Sequence, residues 1–264
     1  MNCQAANMRV EKLVMRYGRR TVIDDLSLAL PSGRVTAIVG PNGCGKSTLL
    51  SGLARLHKPA AGHIYLDDFP INSFSSRTFA RQLALLPQQV NAPQGLTVSE
   101  LVQFGRQPHQ SWFRQWSPED QHVVDAVLQA ADLVALADRP LEAMSGGQRQ
   151  RAWLAMTIAQ QTRVVLLDEP TTALDIGHAV EIFERIRQLA GQHRTVVMVV
   201  HDLINACRYA DYLVAMKEGR ILAAGRPADV VTSDLIRALY RVDCELQKDP
   251  ATQAPIMVNI RRVR

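Results

Sequence analysis

The run Gly40-Pro41-Asn42-Gly43-Cys44-Gly45-Lys46-Ser47-Thr48 constrains this chain more than any other feature. It follows the P-loop pattern, and its flanks suit that assignment. Val35-Thr36-Ala37-Ile38-Val39 before it reads as a buried strand, and Ser47 to Ala54 reads as the start of a helix. Glycines let successive backbone N–H groups turn inward around a phosphate chain. A helix N-terminus adds its partial positive charge at the same point. Lys46 is expected to reach the outer phosphates, and Ser47 to offer its hydroxyl to Mg²⁺.

The rest of the chain is compatible with a cytosolic α/β protein. Its 264 residues are 47% hydrophobic, ample for a core. Apolar runs such as Val196 to Val200 are of strand length, well short of the roughly 18 residues that cross a bilayer. Met1 to Asn7 lacks a charged head followed by an apolar block, so no signal peptide is expected. Cys3, Cys44, Cys207 and Cys244 form no CxxC pair and read as free thiols. The net charge of +5 is scattered and decides little about partners.

Met8 to Leu30 holds two strand-like stretches joined at Tyr17-Gly18-Arg19-Arg20. His63 to Leu66 and Leu83 to Leu86 read as further strands. After Pro87 the signals become helical. Thr97-Val98-Ser99-Glu100 is a capping box, Ser117-Pro118-Glu119-Asp120 is an N-cap with an N1 proline, and Ser145-Gly146-Gly147-Gln148 opens a helix through Gln160. Residues 90–160 thus read as a helical insert. From Arg163 apolar runs return at Val164 to Leu167, Thr195 to Val200 and Asp211 to Met216, separated by helical segments such as Ala179 to Leu189. Such runs suit parallel strands covered on both faces. The segment after Asp249 is weakly patterned.

Val164-Val165-Leu166-Leu167-Asp168-Glu169-Pro170 is the second informative motif. A carboxylate at the carboxyl end of a central strand faces the ligand crevice of a parallel sheet. Asp168 is the expected Mg²⁺ ligand, directly or through water, and Glu169 the expected base for an attacking water.

A P-loop, Ser145-Gly146-Gly147-Gln148, the Asp168-Glu169 strand and His201 after a further strand, in that order, resemble the ATPase subunit of an ABC transporter. The likeness runs from about Met8 to Gly225. It implies an ABC-type P-loop ATPase domain over 8–240, with a parallel-sheet core, an antiparallel β edge and the helical insert, followed by a tail over 241–264. It implies that ATP, with Mg²⁺, is bound by Gly40, Pro41, Asn42, Gly43, Cys44, Gly45, Lys46, Ser47 and Thr48 of one subunit and by Ser145, Gly146, Gly147 and Gln148 of the other, in a head-to-tail dimer. By the same resemblance Tyr17 stacks on adenine, and Gln88 approaches Mg²⁺ and the water. Asp175, in Ala173-Leu174-Asp175, communicates across the dimer, and His201 contacts the γ-phosphate. Met144 stands where the family usually has Leu.

One ATPase domain without a membrane span resembles a separate importer subunit. Leu96 to Val102, Gly105-Arg106-Gln107-Pro108-His109, Ser145 to Ala152 and His201-Asp202-Leu203 resemble the ferric-siderophore, haem and cobalamin importer ATPases. Pro70 to Arg77 is close to the ferric-citrate branch. Pro108-His109 and Cys207-Arg208-Tyr209-Ala210 lean to the ferric-enterobactin branch. The resemblance implies ATP-driven import of an iron(III)–siderophore complex at the cytoplasmic face of the membrane. The partners it implies are permease subunits and, indirectly, a periplasmic or surface binding protein; it gives no role to nucleic acid. Gln88 to Trp116, with Gln94, Phe104, Trp112, Phe113 and Trp116, is the expected docking surface. A cobalamin or haem importer ATPase is the alternative, and a non-transport ABC ATPase or a module that holds ATP without hydrolysing it fits less well.

Overall fold

The computed structural model describes residues 5–89, 92–110, 116–172 and 174–263. Trp112, Phe113, Ala173 and Cys3 lie outside them. Strands β1 (Met8–Tyr17) and β2 (Arg20–Leu30) form a hairpin and are followed by β3 (Val35–Val39) and α1 (Lys46–Leu53). Next come β4 (Ala61–Leu66), β5 (Phe69–Pro70), α2 (Ser76–Ala80) and β6 (Leu83–Leu86). The insert contributes α3 (Val98–Phe104), α4 (Pro118–Ala130) and α5 (Gly146–Ala159). The α/β rhythm resumes with β7 (Val164–Asp168), α6 (Ile176–Gly191), β8 (Thr195–Val199), α7 (Leu203–Tyr209) and β9 (Tyr212–Lys217). It ends with β10 (Arg220–Gly225), α8 (Pro227–Val230), α9 (Ser233–Tyr240), β11 (Val242–Lys248) and β12 (Pro255–Arg262).

The main sheet has the order β10-β9-β3-β8-β7-β6. All neighbours are parallel except the edge strand β10, which runs antiparallel to β9. The apolar runs occupy its centre because alternate side chains serve opposite faces. In β7, Val164 and Leu166 join one core, and Val165 and Leu167 join the other. In β8, Val197 and Val199 face the first core, and Val196 and Met198 the second. The first core is closed by α1 and by an antiparallel sheet of order β2-β1-β4-β5. The second is closed by α6, α7 and α9. Burying one such Val or Leu contributes about 1.5–3 kcal/mol, so the continuous runs lock the register of the strands that carry the site.

The expected parallel core, antiparallel β edge and helical insert are all present. The insert has its own core, which joins Val98, Leu101 and Val102 of α3 to Val124 and Leu128 of α4 and Ala152 and Ala155 of α5. The capping boxes at Thr97–Glu100, Ser117–Asp120 and Ser145–Gln148 are each formed in both directions. The segment after Asp249 differs from a weakly patterned tail. It is β12, paired with β11, and Leu246 and Met257 pack against the second core. Asp249 holds the turn by accepting from the N–H groups of Ala251 (2.8 Å) and Thr252 (3.0 Å).

Arg106 pins the three insert helices together. Its buried guanidinium donates to Asp120 Oδ1 (2.9 Å), to the Ala159 carbonyl (2.8 Å) and to Gln161 Oε1 (2.9 Å). Removing one partner of a buried ion pair costs more than the pair contributes, because a charge is left stranded. Arg106→Met is expected to lower unfolding free energy by about 3–5 kcal/mol. Urea unfolding of the full chain checks this; a loss below about 1 kcal/mol, the range of an exposed pair, would mean that the pair is idle.

Candidate active site

The carboxyl ends of four adjacent strands, β3, β8, β7 and β6, build the site. The P-loop follows β3, His201 follows β8, Asp168 and Glu169 end β7, and Gln88 follows β6. Sheet order therefore brings together residues that the sequence spreads from position 40 to position 201.

The P-loop turns through Gly40 and Gly45. A Cβ on Gly40 would meet the Met216 carbonyl oxygen at 2.1 Å, so only glycine lets the loop pass β9. Gly45 opens α1 with φ at 109° and no side-chain cap, so the N–H groups of the first helical turn keep their capacity for an anion. Lys46 is buried, and its Nζ donates to the carbonyls of Gly40 (2.9 Å) and Pro41 (3.1 Å). Cys44 is also buried, and burial pushes its thiol up despite the nearby Lys46 charge. That makes it a packing side chain rather than a reactive one. Asn42 and Gly43 are exposed at the tip, and Pro41 and Thr48 are partly covered.

Ser47 Oγ donates to Asp168 Oδ1 at 3.1 Å. A hydroxyl and a carboxylate so close are the hard oxygen donors that Mg²⁺ takes beside phosphate, so the two residues fit the ion. Burial pushes the Asp168 carboxyl up; the Ser47 hydrogen bond pulls it down, and the Glu169 charge raises it again. Burial also pushes Glu169 up, but hydrogen bonds from Thr172 and His201, the His201 charge and a hydrogen bond from Gln88 bring it below the usual carboxylate range. Gln88 Nε2 and Thr172 Oγ1 donate to Glu169 Oε2 at 2.7 and 3.0 Å, and His201 Nε2 pairs with Oε1. Gln88 and His201 thus both rest on Glu169.

Tyr17 stands at the β1–β2 turn, half exposed, against the His57 ring at 4.5 Å between centroids. His57 is fixed by the Arg16 carbonyl (2.8 Å). The start of β2 flanks the P-loop, since a Cβ on Gly45 would lie 3.4 Å from the Val22 carbonyl.

At α5 the Ser145–Gln148 box occupies two backbone donors: Gln148 N–H bonds Ser145 Oγ (3.2 Å) and Ser145 N–H bonds Gln148 Oε1 (3.0 Å). The N–H groups of Gly146 and Gly147 are then the ones that the helix cannot use itself. Ser145 and Gly146 are exposed. Among the described residues no hydrogen bond joins Ser145–Gln148 to the P-loop of the same chain. Asp175 caps α6, accepting from His178 N–H (2.9 Å) and pairing with His178 Nδ1 (2.8 Å). The His178 ring would lie 3.3 Å from a Cβ on Gly147.

Thr172, His57 and His178 carry no motif that would single them out in the sequence, and Gln150 lies in the Ser145–Ala152 run without a role of its own there. Gln150 Nε2 donates to the Pro170 carbonyl (2.8 Å) and so ties α5 to the turn after Glu169.

The profile of the ABC transporter family matches residues 23–172. The petrobactin import ATP-binding protein FpuD of Bacillus anthracis is 47% identical, over 95% of this chain and 92% of its own. The ferric enterobactin transport ATP-binding protein FepC of Escherichia coli (strain K12) is 45% identical, over 99% of this chain and 97% of its own. A metal-chelate-type ABC transporter solved in an inward-facing conformation superposes with a TM-score of 0.83 at 27% identity, covering 99% of this chain and 98% of that one.

Proposed function

We infer the function from one premise: this chain belongs to the ABC transporter family. It is an ATP-binding cassette ATPase that powers import of an iron(III)–siderophore complex through a separate permease. The observation that carries the cargo is that near-full-length relatives named for petrobactin and ferric enterobactin import are 47% and 45% identical to it over the aligned residues. The observation that carries the chemistry is the meeting of Lys46, Ser47, Asp168, Glu169, Gln88 and His201 at the carboxyl ends of four adjacent strands.

In this reading Lys46 exchanges the Gly40 and Pro41 carbonyls for phosphate oxygens. Ser47 and Asp168 hold Mg²⁺, which supplies charge neutralisation of the phosphates when bound. Glu169 is kept ionised by Thr172, His201 and Gln88 and takes the proton of the attacking water. Gln88 and His201 must turn partly from Glu169 to meet that water and the γ-phosphate. Tyr17, braced by His57, offers its exposed face to adenine. Ser145, Gly146, Gly147 and Gln148 serve the nucleotide of a second copy. The uncommitted N–H groups of Gly146 and Gly147 support that assignment.

The permease is proposed to dock where Gln88, Gln89, Pro93 and Gln94 face Arg149 and Trp153 of the insert across a cleft of about 530 Å³. Phe104 and Trp116 are exposed nearby in sequence. Among the described residues no helix is long and apolar enough to cross a membrane. We place the chain at the cytoplasmic face on the strength of its family, as a peripheral subunit.

Uptake of labelled iron on ferric citrate and on ferric enterobactin, beside labelled cobalamin and haem, tests the cargo in cells lacking this chain. Restoring the chain is expected to restore uptake of at least one iron chelate and to leave cobalamin unchanged. Normal uptake of every iron chelate together with lost cobalamin or haem uptake would move the chain to that branch.

A further inference from the structure

Away from the P-loop, α4, α5, α6 and the turn before β8 enclose a cavity of about 300 Å³. That is the lower end of the range for small-molecule sites. Val127, Leu154 and Ile158 give it an apolar wall. Arg151 from α5, Arg185 from α6 and Arg194 from the turn give it a cationic one, and among the described residues no Asp or Glu lines it.

Two of these guanidinium groups are poorly provided for. The Nε atoms of Arg151 and Arg185 are buried and find no hydrogen-bond acceptor among the described residues. Native interiors rarely leave such donors unmet, because the loss of water is not compensated. Arg185 spends one terminal nitrogen on the Ala130 carbonyl at the end of α4. The carboxylate paired with Arg151 is Asp132, 3.7 Å away and almost fully exposed, so solvent screens that pair. A solvated basic surface would not need an apolar wall, and a pocket for a bare inorganic anion would not have one.

The geometry points to a binding site for a small amphiphilic carboxylate, its head group between Arg151 and Arg185 and its apolar part against Val127, Leu154 and Ile158. A carboxylate presents two acceptors to a guanidinium fork, and a short hydrocarbon or aryl group fills the remaining volume. The cavity is walled by the insert on one side and by the main-sheet layer on the other: Val123 and Ala155 belong to the insert core, and Leu154 to the second main core. Occupancy therefore fastens the insert to the ATPase core. The site shares no residue with the P-loop or the Glu169 network, and its existence does not depend on the cargo.

Titration calorimetry of octanoate into the full chain tests it, with inorganic phosphate as the comparison. Octanoate is expected to bind saturably at one site per chain, and phosphate at least about tenfold more weakly. Arg185→Gln is expected to weaken octanoate by about tenfold, the scale of one charge-assisted hydrogen bond. Ala126 lines the mouth from the exposed side of α4, so Ala126→Leu fills the entrance without disturbing a core and is expected to weaken octanoate similarly. It decides the matter if Arg185→Gln fails to fold. Absence of saturable binding, binding unmoved by Ala126→Leu, or phosphate binding as tightly as octanoate would each overturn the proposal.

Discussion

Glu169→Gln is expected to lower ATP turnover by about 10²–10⁴, the scale of losing a general base, while ATP stays bound. The substitution keeps size and most hydrogen bonding. The amide oxygen can still accept from Gln88 and Thr172, which hold Glu169 Oε2 at 2.7 and 3.0 Å. What disappears is the capacity to take a proton. In the native chain that capacity is present throughout the neutral range, because Glu169 lies below the usual carboxylate values. Phosphate release and equilibrium nucleotide binding, measured on one preparation, separate the two effects. Normal turnover in the variant would remove Glu169 from the role of base.

Lys46→Ala is expected to weaken ATP binding by 10²-fold or more, since a buried cation supplies charge-assisted hydrogen bonds of about 1.5–3 kcal/mol each. The loop loses more than charge. Lys46 Nζ also ties the Gly40 and Pro41 carbonyls, so the backbone that cradles phosphate loses its internal brace. Nucleotide binding at equilibrium checks this, with circular dichroism as the control for folding. Near-normal affinity would mean that Lys46 does not face the phosphates.

Much of the fold was legible because its signals are local. The P-loop, the apolar strand before Asp168-Glu169, the capping box at Thr97 and the helix starts at Ser117 and Ser145 all act within a few residues. The family resemblance brought Gln88, Glu169 and His201 to one water and phosphate, but their hydrogen bonds to Glu169 were not legible in the residues. Gln88 and His201 meet Glu169 only because β6, β7 and β8 are neighbours, and sheet order is a tertiary outcome. Thr172, His57 and His178 have no signal apart from their partners. The terminal hairpin was missed because its alternation is short: Val242, Cys244 and Leu246 are half-polar in company, and the face that holds them belongs to the second core. Pro108-His109, read as a mark of one importer branch, has a structural role: the Pro108 carbonyl accepts from Arg77 (3.1 Å) and Arg81 (2.8 Å), and His109 Nε2 bonds the Gln160 carbonyl.

The central claim is that two copies of this chain share each ATP between the P-loop of one and the Ser145 helix of the other. Mixing Lys46→Ala chains with Ser145→Arg chains tests it most directly. A dimer of either variant alone has one broken half in both sites, whereas the mixed dimer has one site with both halves intact. ATP-dependent dimerisation and turnover are predicted to reappear in the mixture and to be absent from each variant alone. A mixture that regains neither, with both chains folded, would contradict the shared site.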